Sequence, residues 1–100
     1  MALLKYFTVD QGVAGTTVVA AAEVGQKHKV IGLVLSLIST GSYRFTGASN
    51  LTGDIRVLKD ASVCWPNSGI PYLETALGDA LSIVTIGGAG DGVVIYVTEP

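Results

Sequence analysis

Charge is the first thing in short supply. Charged residues make up 14% of this chain, against roughly 25% in an average soluble domain. Six Lys and Arg face eight Asp and Glu, for a formal net charge of −2. That balance gives no basic field for nucleic acid or for an anionic lipid surface. Histidine and cysteine occur once each, as His28 and Cys64. One of each cannot supply the three or four ligands of a zinc site, and a lone cysteine closes no internal disulfide. Long apolar runs are missing as well. The longest, residues 30–38, spans nine positions, where a membrane-crossing helix needs roughly 20. The opening MALLKYFTVDQG has too short an apolar part for an export signal, with Asp10 close behind. The expectation is a chain of cytosolic origin with neither a membrane nor a nucleic acid as partner.

What is plentiful is apolar side chain. The hydrophobic fraction is 49% and the mean hydropathy +0.54 over 100 residues. A domain of this size has much surface per unit volume, so apolar residues in excess of its core end up on that surface. With membranes set aside, other protein chains are the expected cover. No charge block, repeat or low-complexity tract divides the sequence, and residues 1–100 read as one domain.

Short β-rich runs follow one another along the chain, at 5–9, 16–21, 29–39, 42–47, 51–59, 61–65, 70–75, 80–86 and 92–98. Gly, Asn, Asp, Pro or Ser separates nearly all of them, the spacing of an all-β sandwich or small barrel. Several runs alternate with period two: Tyr43 and Phe45 against Ser42, Arg44 and Thr46; Ile55 and Val57 against Arg56; Val93, Ile95 and Val97 against Val94 and Tyr96. Helix signals are thin: residues 20–24 have the propensity but Gly25 ends them, and residues 73–81 could hold one short turn before Ala80. The reading is a single antiparallel β-sandwich, jelly-roll-like, of eight or nine strands.

The run 29–39 carries most of the functional argument. Read as a regular strand, it sets Ile31, Leu33, Leu35 and Leu37 on one face and Val30, Val34 and Ile38 on the other. A strand apolar on both faces is usually buried on both, whereas a two-layer sandwich buries one. The second face, Val30, Val34 and Ile38, is therefore the expected subunit interface, with a flap of the same chain as the alternative cover. Residues 2–9 are expected to form an arm or edge strand, in which Leu3, Leu4, Tyr6 and Phe7 would grip a neighbouring molecule.

No stretch reads as catalytic machinery. IGGAGDGVV, residues 86–94, lacks the Lys-Ser/Thr pair of a phosphate loop and the spacing of a dinucleotide fingerprint. It is expected to be a hairpin with Asp91-Gly92 at its turn. His28, between Lys27 and Lys29, is expected to be an exposed residue at the start of a strand. Cys64 reads as a small buried hydrophobe. The carboxylates Asp10, Glu23, Asp54, Asp60, Glu74, Asp79, Asp91 and Glu99 are scattered, and nothing pairs two across a cleft. Asn50-Leu51-Thr52 matches the glycosylation triplet, taken as chance without a secretory route. Aromatics are dispersed, as in cores and interfaces. Trp65-Pro66-Asn67-Ser68-Gly69 reads as a loop whose aromatic either meets a ligand or packs beneath it. The sequence is thus read as that of a protein without enzymatic activity, cofactor, metal or small-molecule substrate.

From Glu23 onward the chain resembles a family of small β-sandwich virion proteins of tailed bacteriophages, of the head decoration (cement) type. The resemblance rests on EVGQKHKVIGLVLSLIS, SYRFTGASNLTGDI and GIPYLETALGDALSIVTIGGAGDGVVIYV. Val24, Gly25 and Lys27 match the start of the family's long apolar strand, and Leu51, Thr52 and Gly53 its middle step. Pro71, Tyr72, Glu74, Thr75, Gly78, Asp79, Ala80 and Leu81 match a later one. The match covers about three quarters of the chain in order, with Cys64, Trp65-Pro66 and residues 1–22 outside it. The resemblance implies a homotrimer made in the host cytoplasm and seated on the major capsid protein at the outer surface of the head, where it stabilises the shell. A tail or connector component, or a host-recognition module binding glycans, is the alternative. Exposed aromatics in the loop 64–69 would favour the glycan-binding module.

Overall fold

The computed structural model describes residues 3–67 and 69–100. Nine strands follow in order: β1 (Lys5–Asp10), β2 (Gly15–Ala20), β3 (Lys27–Leu37), β4 (Gly41–Thr46), β5 (Ile55–Val57), β6 (Ser62–Trp65), β7 (Leu73–Glu74), β8 (Leu81–Ile86) and β9 (Gly90–Glu99). No helix occurs among the described residues. The strands form two antiparallel sheets, one ordered β1-β9-β3-β6 with β7 also paired to β3, the other ordered β2-β8-β4-β5.

Consecutive strands change sheet at nearly every step, so β1 is followed by β2 in the other sheet, β3 by β4, β5 by β6 and β8 by β9. With β7 set aside, that interleaved order is the connectivity of a jelly roll. The all-β sandwich expected from turn spacing is therefore what forms.

Period-two alternation places the core. Tyr43 and Phe45 on β4, Leu81 and Ile83 on β8, and Val94 on β9 are fully buried between the sheets, with Val9 and Val57 almost so. Their strand neighbours Arg44, Ser82 and Val84 are only partly covered, on the outside. Phe7, Val63, Trp65 and Tyr96 pack against the same cluster from its margins. Trp65 sits 5.6 Å from Phe45 and 6.2 Å from Tyr43, ring centre to ring centre, and 5.1 Å from Tyr72. The loop aromatic thus packs under its loop.

Four details differ from the sequence reading. The turn after β8 is Gly87 to Ala89, with Gly87 at φ 83°. Asp91 and Gly92 are paired strand residues of β9, so IGGAGDGVV is an arch between two sheets and not a hairpin. His28 is buried, at 1% exposure. Cys64 is exposed, because its neighbours Val63 and Trp65 take the two inward positions of β6. Most telling is β3 itself, where the alternation breaks at Val30.

Candidate partner-binding face

β3 is paired to β9 as Lys29↔Val97, Val30↔Tyr96, Gly32↔Ile95 and Leu33↔Val94, so Ile31 is an extra residue with no partner across the ladder. Such a bulge inserts one residue and reverses the facing of everything before it. Val30 accordingly lies in the core with Leu33, Leu35 and Leu37. Ile31 lines the outer side with Lys29 and Val97. Of the three residues expected at a subunit interface, Val34 and Ile38 lie exposed on the outer face, at 47% and 60%, while Val30 is fully buried. Sequence periodicity missed this because an unbroken apolar run carries no mark of where a bulge will fall.

The N-terminal segment resolves in the same way. β1 is an edge strand paired along its whole length to β9. Its inward positions carry Phe7 and Val9, so Phe7, expected to grip a neighbour, is instead turned toward the core and partly buried against it. Tyr6 is 65% exposed on the outside, and Leu3 and Leu4 precede the strand at 82% and 47%.

Register assembles these side chains into rows on the outer face of the β1-β9-β3-β6 sheet. One row runs Thr8, Val93, Val34, Cys64; the next runs Tyr6, Ile95, Gly32. Ile95 lies over Gly32, where an added Cβ would sit 3.1 Å from its Cδ1. A third row, Asp10, Asp91, Ser36 and Ser62, closes one end, with the two serine hydroxyls 2.9 Å apart. At the other end the Lys29 ammonium donates to Glu99 and lies 3.8 Å from Glu74, which is 3.5 Å from Lys27. The hydrogen bond to Glu99 holds Lys29 above its ordinary pKa, and the same bond holds Glu99 below its own. Beside this cluster a hollow of about 600 Å³ is lined by Leu4, Lys29, Ile31, Asn67, Gly69, Pro71, Val97 and Glu99. An apolar centre within a polar, ion-paired rim is the anatomy of a protein interface.

The outer face of the second sheet is built differently. Its rows carry Thr16, Val18, Ser82, Val84, Ile86, Ser42, Arg44, Thr46 and Arg56, with Val18 and Ile86 exposed. Arg44 donates to Asp54 at 2.9 Å. Hydroxyls and guanidinium groups thus interrupt every apolar row there.

His28 holds a structural position. Its Nε2 lies 2.8 Å from the Ala21 carbonyl, which can only accept, so Nε2 carries a proton. In the neutral ring Nδ1 then accepts from Thr98 Oγ1 at 2.8 Å. The backbone N–H of His28 donates to Thr75 Oγ1 at 3.0 Å, and its ring meets Tyr96 edge-on at 6.1 Å. Both ring nitrogens are engaged and the ring is buried. A second buried polar group, Gln11, binds the Gly15 carbonyl and Thr17 and accepts from Thr85 at 2.7 Å, tying the β1–β2 arch to β8. Among the described residues no three His, Cys, Asp or Glu side chains gather as they would around a metal ion.

Comparison with known proteins returned no matching family model, no matching curated protein and no matching solved structure.

Proposed function

We propose that this chain is a head decoration protein of a tailed bacteriophage. It acts as a homotrimer on the outer surface of the capsid, bound to the major capsid protein. The observation that carries the reading is the contrast between the two outer sheet faces. One has an apolar centre of Tyr6, Val34 and Ile95, and the other sets Val18, Val84 and Ile86 singly among hydroxyl and guanidinium groups. The order of motifs shared with decoration proteins supports the same reading, as does a jelly-roll connectivity of a kind common in virion proteins.

The mechanism is mechanical. Each copy covers its apolar face against trimer mates and shell subunits, and pulling the shell apart re-exposes that area. Burial contributes about 25 cal/mol per Å² before the cost of association. A standard interface buries on the order of 1,600 Å² in total. Hundreds of such contacts, each modest, resist pressure from packaged DNA.

The test is light-scattering mass of the purified protein, then titration onto undecorated shells. A trimer that saturates shells at hundreds of copies is expected. A protein that ignores shells but binds host cells or sugars would overturn the proposal in favour of a recognition module. Saturation at a few to tens of copies per particle would point to a tail or connector part.

A further inference from the structure

The free edges of the two sheets are not alike. β5 is three residues long with Arg56 at its centre. β6 is four residues and runs into Pro66, and β7 is two residues shortly after Pro71. β1 begins with Lys5, whose ammonium turns inward over the Tyr96 ring at 5.9 Å. Short length, proline, charge and inward-turned lysine are the devices that keep a sheet edge from pairing with another chain.

β2 has almost none of them. It is six residues, GTTVVA, without charge or proline, and no described strand lies on its outer side. Its one irregularity, a bulge between Val18 and Ala20, falls at its far end and leaves Gly15 to Val18 in regular register with β8. Thr16 and Val18 face outward and are exposed, while Thr17 turns inward and is held by Gln11 at 2.7 Å.

From this we infer that β2 is a second contact between copies of this chain, pairing antiparallel with β2 of another copy about a two-fold axis through Thr17. The occupant is a second copy because the strand complements itself. Antiparallel neighbours must present matching faces, and a dyad on Thr17 sets outward Thr16 opposite outward Val18 of the other copy, twice. Threonine and valine are side chains that stabilise cross-strand pairs, and no like charges oppose one another. A two-fold contact closes on itself and forms pairs, not fibres. Three paired residues on each strand bury far less than the roughly 1,000 Å² of a stable interface, so the contact is weak in dilute solution and fills where copies are crowded. It does not depend on the apolar face of the other sheet or on the proposed virion role.

The experiment uses the full chain carrying Val34→Asp, which removes assembly through the apolar face and leaves the edge alone. In that background Thr16→Glu with Val18→Glu sets glutamate opposite glutamate across the dyad. Thr16→Lys with Val18→Glu sets lysine opposite glutamate at the same positions. Sedimentation equilibrium over a wide concentration range reads the self-association, and urea unfolding shows whether each variant is folded. The expected result is a concentration-dependent dimer for Val34→Asp alone, retained by the Lys/Glu variant and weakened about tenfold or more by the Glu/Glu variant. A mass that stays monomeric at every concentration in the Val34→Asp background would overturn the inference. So would equal self-association of the two double variants.

Discussion

Val30 and Leu33 stand three positions apart on β3 and both point into the core, each fully buried. In a regular strand an odd spacing sends side chains to opposite faces. The unpaired Ile31 absorbs the difference, so the core position of Val30 and the outer position of Val34 both depend on one inserted residue.

Aspartate substitutions separate the two sides of β3. Val30→Asp and Leu33→Asp each place an unpaired charge among fully buried neighbours and are expected to cost more than about 4 kcal/mol, enough to prevent folding. Val34→Asp sits on the exposed outer face and is expected to unfold within about 1 kcal/mol of the parent, while losing trimer assembly and shell binding. Urea midpoints alongside light scattering check this. A Val34→Asp protein as unstable as the Leu33 variant would show that Val34 belongs to the core.

The sequence made the sandwich legible because turn residues and alternation are local signals, and Tyr43, Phe45, Ile55, Val57 and Val94 all face as their alternation requires. Facing along β3 was not legible, since Val30 and Ile31 are chemically alike and the bulge at Ile31 is set by register with β9. His28 misled for a related reason. Two flanking lysines suggest solvent, but Lys27 and Lys29 alternate away from it toward Glu74 and Glu99 while the ring turns to Ala21 and Thr98. The candidate face was half legible. Its excess of apolar side chains is in the composition, but its rows join β1, β9, β3 and β6, strands far apart in sequence.

At Gly92 the backbone of β3 leaves no room for a side chain. A Cβ there would lie 1.9 Å from the Val34 carbonyl oxygen, a backbone atom of the paired strand. Gly92→Ala is therefore expected to push β9 off register beside Leu35 and cost about 3 kcal/mol or more. Gly53→Ala, where an added Cβ meets nothing within 4 Å, serves as the control and is expected near neutral. Thermal unfolding of the two variants reads the difference, and equal melting points would mean that the strands separate there without cost.

Tyr43 buries its hydroxyl completely, and that oxygen has no hydrogen-bond partner. Burial pushes its pKa up to about 12; the Trp65 indole N–H, which does not reach hydrogen-bonding geometry, offsets a part. Because an unpaired buried hydroxyl costs free energy, Tyr43→Phe is expected to be neutral or to stabilise the fold by up to about 1 kcal/mol. The ring packing on Phe45 and Trp65 is kept. Tyr43→Leu, which loses that ring, is expected to destabilise. A clear loss of stability in Tyr43→Phe would reveal a partner for the hydroxyl, such as a trapped water.

The Lys29–Glu99 pair joins β3 to β9 at the rim of the apolar face, and its contribution depends on pH in a defined direction. Glu99 has a folded pKa below its ordinary 4.5, chiefly through the hydrogen bond from Lys29 and then through that ammonium's charge. Stability from this group is present above pH 4.5 and is lost as pH falls through the depressed value. Lys29 has a folded pKa above its ordinary 10.5, again chiefly through Glu99, so its share is complete below pH 10.5 and is lost as pH rises through the raised value. Glu99→Gln removes both, leaving Lys29 with only the longer contact to Glu74. The urea midpoint of Glu99→Gln is expected to lie below that of the parent by a constant amount from about pH 6 to 9, with the gap closing toward both extremes. Because the pair lies near the surface, the gap should also narrow in high salt. A gap unchanged down to full protonation of Glu99 would mean that the substitution acts through packing of the side chain and not through its charge.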